Sequence, residues 1–593
     1  MRNRIVLTLL LALTVAALGY QLLAPPRPAP TARLTAYLPQ DALLTLQSPD
    51  FASLLKRWTN SPECRAWLAS DNDAVFQNSR LFGRLGDAQT SFEAAAGVPA
   101  DADFLAHIAG KESVFAWYDI GKLEFLYITR MPAAQAAQTQ LFQSRGHFER
   151  RHAGASDFYL RTSRSDYGTV AFASVPTPSG DLLLLATRED LIANALKLIA
   201  QPETGSSIEQ EPWFHDASAA LPAEKAGPAL HMVLNLDRIA PDPHFRSYWI
   251  QRNVPRMKQF RASAADLYLE PTRFREERVL LPKSPSPEMP PSADISSLAA
   301  LVPPSTGVFR AVATQDSAAA VTAIQEKLLG ADTPPPPNPE SAPDPSLAGP
   351  RTGSASDLET RIDTLPPASP SASTAQLRAL LESSGTEAVL TLSSAEPAAS
   401  PDGLWIPIHS AVIVRTGKPA DPQALRAALQ QTLCGALTTA NIGITFQPTP
   451  VGDRTVYALG GPRPLFFALA ATPAAGNLLL LADDGALLQQ VLHNLGAAST
   501  ADASATMIAV FSHASQRAPY ARLTSLVDAT NGGNSGSARD PAQGADVGAA
   551  PTFFSSNIRS LSDAFASLVS EQVVERSVDS NLRQTVTYVW KTP

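Results

Sequence analysis

The chain has 593 residues, 45% of them hydrophobic and 17% charged, and a formal net charge of −8. That length is too great for one hydrophobic core, so two to four domains are expected. The mild negative charge supplies no basic field for phosphates, which excludes nucleic acid as an expected partner.

At the start, Arg2 and Arg4 precede an uncharged run from Ile5 to Ala24 dominated by Leu, Ala and Val. Twenty helical residues span roughly 30 Å, the thickness of a bilayer's hydrocarbon core. The arginines keep Met1 cytoplasmic and send the rest of the chain across. Residues 1–24 therefore read as a single-pass signal anchor, with the bulk of the chain extracytoplasmic. The alternative is a cleaved signal peptide and secretion, because Ala17-Leu18-Gly19 is a small-x-small site. No cysteine near it offers lipoprotein modification. Pro25, Pro26, Pro28 and Pro30 make residues 25–34 a stiff spacer.

Cys64 and Cys434 are the only cysteines. One bridge between them is possible in an oxidising compartment, and two separate buried thiols are the favoured expectation.

Further along, the sequence repeats itself. Asp181-Leu-Leu-Leu-Leu-Ala186 leads into a helical pattern at Leu191–Leu198, and Asn477-Leu-Leu-Leu-Leu-Ala482 leads into another at Leu487–Leu495. A strand apolar on both faces belongs inside a covered sheet. Thr187 with Asp190, and Asp483 or Asp484, are expected to cap the two helices. Phe125–Arg130 resembles Ala411–Arg415, each a strand before an alanine-rich helix (133–144 and 421–433). Leu38-Pro39 with Ala42-Leu43-Leu44 resembles Val302-Pro303 with Gly307-Val308-Phe309. Leu230–Leu236, a helix near Phe245–Phe260 and two strands to Leu281 match Met507–Phe511, a helix near Phe554–Leu568 and a final strand near Gln584–Trp590.

Four matches in one order predict two homologous halves, 35–283 and 295–593, joined by a proline-rich linker, 284–294. Each half reads as α+β, a mainly antiparallel sheet with helices packed on it, following the N-terminal membrane-targeting helix. Segments 332–373 and 528–552 are Gly/Pro/Ser-rich and are expected to be disordered loops.

Chemistry is hard to find. GxGxxG after a strand, GxxxxGK[ST], GxSxG and HExxH are all missing from the sequence. His147 and His152 are five apart, on opposite faces of a strand, with Arg150 and Arg151 between them, which is poor for a cation. Asp483-Asp484 reads as a helix start and Glu276-Glu277 as a solvated strand edge. No residue is assigned a catalytic, cofactor-binding or metal-ligating role, and no cofactor is expected. One charge concentration stands out. Arg246, Arg252, Arg256, Lys258 and Arg261 read as one helix beside Tyr248 and Trp249, followed by Arg273, Arg275 and Arg278. It is either a solvated helix face or a contact for anionic lipid head groups, acidic glycan or a protein partner.

Three features together, the anchor with its proline spacer, Tyr37–Leu46, and the turn and strand Gly110–Trp117, resemble exported bacterial envelope proteins classed as a domain of unknown function. The Leu-rich strand and helix at Asp181–Ala200 fit as well. The resemblance implies an envelope location and carries over no catalytic residue. The leading expectation is a non-enzymatic envelope protein that binds a protein or envelope component, in a groove between two lobes. A lipid-binding or lipid-handling protein, and a hydrolase whose site is assembled from distant residues, are the alternatives.

Overall fold

A computed structural model describes residues 33–68, 80–163, 168–202, 206–242, 257–283, 294–329, 374–395, 408–436, 445–451, 454–460, 464–498, 501–517 and 566–591. The anchor, most of the spacer, most of the linker and both predicted loops lie outside these residues. Among the described helices, none is long and apolar enough to cross a membrane.

The fold is α+β, and its strands form one antiparallel sheet. In chain order, the first ten are β1 (Leu44–Ser48), β2 (Ser113–Asp119), β3 (Glu124–Met131), β4 (Glu149–Ala153), β5 (Ser156–Thr162), β6 (Thr169–Thr177), β7 (Gly180–Ala186), β8 (Leu230–Asn235), β9 (Phe260–Leu269) and β10 (Arg273–Pro282). The next ten are β11 (Val308–Ala313), β12 (Thr386–Ala395), β13 (Ile408–Thr416), β14 (Gln447–Val451), β15 (Arg454–Leu459), β16 (Leu465–Thr472), β17 (Gly476–Ala482), β18 (Met507–Ser512), β19 (Leu568–Val578) and β20 (Asn581–Trp590).

The pairings place the first run in the spatial order 4-5-6-7-3-2-1-8-9-10. Pairing of β10 with β20 joins the runs, and the second continues 20-19-18-11-12-13-17-16-15-14. Read outward from that central pair, the two runs have the same order. Both ends of the sheet carry protection against further pairing. On β4, Glu149, Arg150, Arg151 and His152 are exposed, and β14 holds Pro448 and Pro450.

The leucine runs lie where two-faced apolarity requires. β7 sits between β3 and β6, β17 sits between β13 and β16, and the leucines of both are buried. Complete burial of each such side chain contributes roughly 2 kcal/mol.

Four helices in the N-terminal part bear on the site described below: α1 (Phe51–Thr59), α2 (Pro62–Leu68), α3 (Arg80–Ala96) and α4 (Ala102–Ile108). After them come α5 (Glu189–Ala200), α6 (Pro212–Ala220), α7 (Ser317–Ile324), α8 (Ala375–Ser384), α9 (Pro422–Ala436) and α10 (Gly485–His493). α5, α6 and α10 pack on one face of the sheet. The opposite face carries α4 and the end of α3 in the first run, and α7, α8 and α9 in the second.

Several expectations need correction. No continuous helix spans 133–144; a 3₁₀ turn at Ala136–Gln138 and one α-turn at Gln140–Gln143 stand there instead. Positive φ at Ala134 and extended backbone at Thr139 break the helix, leaving Ala136, Leu141 and Phe142 as a buried lid. The capping box at Thr187 does not form. Arg188 is the N-cap residue, and the Thr187 hydroxyl accepts from the Phe125 N–H at 2.9 Å. In the second run Asp484 does cap, accepting from Leu487 N–H at 2.6 Å, while Asp483 accepts from Ser410 N–H. The chain ends in a hairpin, β19–β20, where one final strand was expected. Cys64 is a buried free thiol; the side chain of Cys434 lies outside the described residues.

Candidate functional site

An aromatic groove of about 1100 Å³ lies over β1, β2 and β3, between the sheet and the helices of residues 51–108. Strand register builds its floor. Leu46, Phe115 and Tyr127 are successive cross-strand partners, as are Leu44, Trp117 and Phe125. Alternation then puts Val114, Ala116 and Tyr118 on the other face, in the core beneath α5. Phe115 stacks on Phe125 at 5.2 Å between centroids and meets Trp117 edge-on at 5.8 Å.

The helices supply the walls. Phe92 of α3 contacts Phe104 of α4 at 5.7 Å and Phe125 at 6.4 Å, and Phe51 of α1 meets Tyr127 at 6.2 Å. Side-chain caps start two of these helices: Asp50 accepts from Ser53 N–H and Asp101 from Phe104 N–H. Ala100 N–H donates to Glu93, fastening α3 to the entry of α4 and holding the Glu93 carboxyl below the ordinary carboxylate range.

Gly110 then lets the chain leave α4 and enter β2. A Cβ at this position would collide with the Arg130 carbonyl and the Thr129 hydroxyl, so only glycine fits. The polar atom at the groove's deep end is satisfied. Tyr127 donates its hydroxyl to the Ile108 carbonyl at 3.1 Å, and burial pushes its ionisation above the ordinary tyrosine range.

The rim is charged but paired. Arg188 bonds Glu124 at 2.9 Å and also Asp190, partners that hold its guanidinium protonated. Lys122 reaches Glu124 at 4.0 Å. At the groove's edge and beside it, Leu85 and Leu105, which line it, and Trp58 and Leu68, which do not, are exposed by 38–75% on α1 to α4. These four are the majority of the large exposed hydrophobic side chains among the described residues, so exposed apolar surface concentrates beside this groove. Such a site can take up an apolar molecule.

None of these aromatics was singled out in the sequence as a site. The available signal was in β2, where Val114-Phe115-Ala116-Trp117-Tyr118 is apolar on both faces with aromatics at i and i+2. The basic stretch that was singled out divides. Arg246, Arg252 and Arg256, with Tyr248 and Trp249, lie outside the described residues. Arg261 is on β9, not on a helix, and bonds Asp216 at 2.9 Å. Arg273 pairs with Glu270, Arg275 with Glu224 and Glu277, and Arg278 with Glu276. Each of these arginines meets a carboxylate, from its own strand at Glu276 and Glu277 or from a neighbouring helix or loop at Asp216, Glu224 and Glu270, so this part is not a free cationic surface.

Glu276 and Glu277 also move. They stand on β10 in the middle of the sheet, half-buried, because β20 covers the edge that the sequence left open. His147 lies in a 3₁₀ turn, and His152 on β4 is 3.2 Å from Asp157. Among the described residues, no group of three His, Cys, Asp or Glu side chains could hold a metal ion.

No family model matches the chain, and no curated protein does. Among solved structures, crystal forms I, III and IV of TP0453 align at 10% identity with TM-scores of 0.24, 0.23 and 0.23. They cover 43%, 43% and 42% of this chain and 80%, 82% and 80% of their own. A likeness this distant says nothing of function.

Proposed function

We propose that this is an exported envelope protein that binds an apolar ligand, such as an acyl chain, in the aromatic groove. The observation that carries the reading is the floor of cross-strand aromatics, half-covered by helices and opening beside exposed Trp58, Leu85 and Leu105. Ligand pockets are typically about 300–1000 Å³ and mostly apolar, so the volume suits a molecule of lipid size. The membrane end of the proposal rests on the anchor at residues 1–24 and on the resemblance to exported envelope proteins. Duplication of an ancestral half is part of it, supported by the repeated strand order and the paired leucine strands.

The expected groove between two lobes receives less support. The two runs share one sheet through β10 and β20, and the aromatic groove is lined by the first run alone.

The test is titration of the full-length protein in detergent with a fluorescent long-chain fatty acid, alongside mass spectrometry of lipids extracted from protein purified from native membranes. Saturable one-to-one binding, weakened in Phe125→Ala, is the expected result. A folded protein that neither binds the probe nor releases co-purified lipid would remove the reading.

A further inference from the structure

On the opposite face of the sheet, a second cavity of about 1070 Å³ opens between α6, β8 and β9. Three side chains on its wall stand in line. Ser218 Oγ is 3.5 Å from His231 Nε2, and His231 Nδ1 is 2.6 Å from Asp266 Oδ1. We propose that Ser218, His231 and Asp266 are nucleophile, general base and orienting carboxylate of a site that hydrolyses carboxylic esters.

Register fixes the inner pair. His231 and Asp266 are direct cross-strand partners, so a slip of one residue would send them to opposite faces. Asp266 is only 7% exposed. An ionised carboxylate can only accept, so His231 carries its proton on Nδ1 and presents Nε2 as an acceptor. That nitrogen faces Ser218. Phe214 and Ala217 bury one side of α6 in the core, which turns Ser218 sideways toward β8. The carboxylate is thus buried while the histidine and the serine are half-buried beside the cavity. A purely structural His–Asp pair would not require a hydroxyl on the far nitrogen or a cavity beside it. The 3.5 Å separation is long, as such distances often are before substrate binds.

In the first step Ser218 Oγ bonds to the ester carbonyl carbon while its proton passes to His231 Nε2. Asp266 stabilises the imidazolium, and Gln47 and Lys111 on the same wall are available donors for the oxyanion. The carbon–oxygen bond then breaks, and the leaving alkoxide takes the proton from His231 to depart as an alcohol. Water attacks the acyl-serine, giving its proton to His231. Collapse releases the carboxylic acid and returns the proton to Ser218 Oγ. No oxidant or cofactor is consumed.

The experiment treats the full-length protein with a fluorophosphonate probe and measures intact mass and the labelled peptide, with p-nitrophenyl butyrate hydrolysis in parallel. A single adduct on Ser218 is expected, absent in Ser218→Ala, whose half-exposed position keeps the fold. Asp266→Asn, nearly isosteric, should slow hydrolysis by about 10³- to 10⁴-fold while thermal melting still shows a folded protein. A folded wild type without an adduct, an adduct on another residue, or Ser218 labelling that survives His231→Gln would each overturn the assignment.

Discussion

Thr585 donates its hydroxyl to Glu277 Oε2 at 2.9 Å across the β10–β20 pair, and the two residues are also register partners. This hydrogen bond sits on the seam that makes one sheet of two ten-strand runs. Glu277 is also held by Arg275 at 2.7 Å, which orients the carboxylate for Thr585. Thr585→Val keeps the β-branched shape and removes the donor. Its expected cost is about 1 kcal/mol, read as a lower urea midpoint with an unchanged slope.

Leu184 and Leu480 occupy matching places on β7 and β17, each in the core beneath its run's helix, α5 or α10. Leu→Ala at either position is expected to cost roughly 2–5 kcal/mol. Because the sheet is continuous, both variants should shift one shared unfolding transition. Two separated calorimetric transitions, each moved by only one of the variants, would show that the runs unfold independently.

Gly110 is a steric requirement. Gly110→Ala forces a methyl group against the Arg130 carbonyl and is expected to destabilise by about 1–3 kcal/mol, measurable by thermal melting. Because β2 starts three residues later, fatty-acid binding should weaken along with stability.

Phe115 is half-buried on the groove floor, so trimming it mainly affects a ligand. Phe115→Ala should reduce affinity for a long-chain fatty acid by about 10-fold or more, because the acyl chain then has no ring to cover its apolar surface there. Melting temperature should move less than in Leu184→Ala.

Acid stability should report Asp502. Bonds from the Ser504 hydroxyl and N–H, and then from Arg576, depress its carboxyl to about 2. A carboxyl depressed in the folded state stabilises above its unfolded value and loses that contribution as pH falls through the folded one. Wild type should therefore lose stability between about pH 4 and pH 2. Asp502→Asn, which cannot titrate, should show a shallower decline in that window.

The α+β class, the central leucine strands and the order of elements along the chain were legible from residue patterns alone, because these rest on local periodicity. A four-leucine strand has no soluble alternative to burial on both faces, wherever its neighbours come from. What local patterns could not supply was long-range pairing. Glu276-Glu277 reads as an edge until β20, some three hundred residues later, closes it. Arg273, Arg275 and Arg278 read as a cationic surface until the fold brings Glu224 to Arg275 and seats Arg273 and Arg278 on the nearby Glu270 and Glu276. The aromatic floor and the Ser218–His231–Asp266 line are likewise products of register. Phe115 meets Phe125, and His231 meets Asp266, only when separate strands align, and chain spacing carries no record of which strands will.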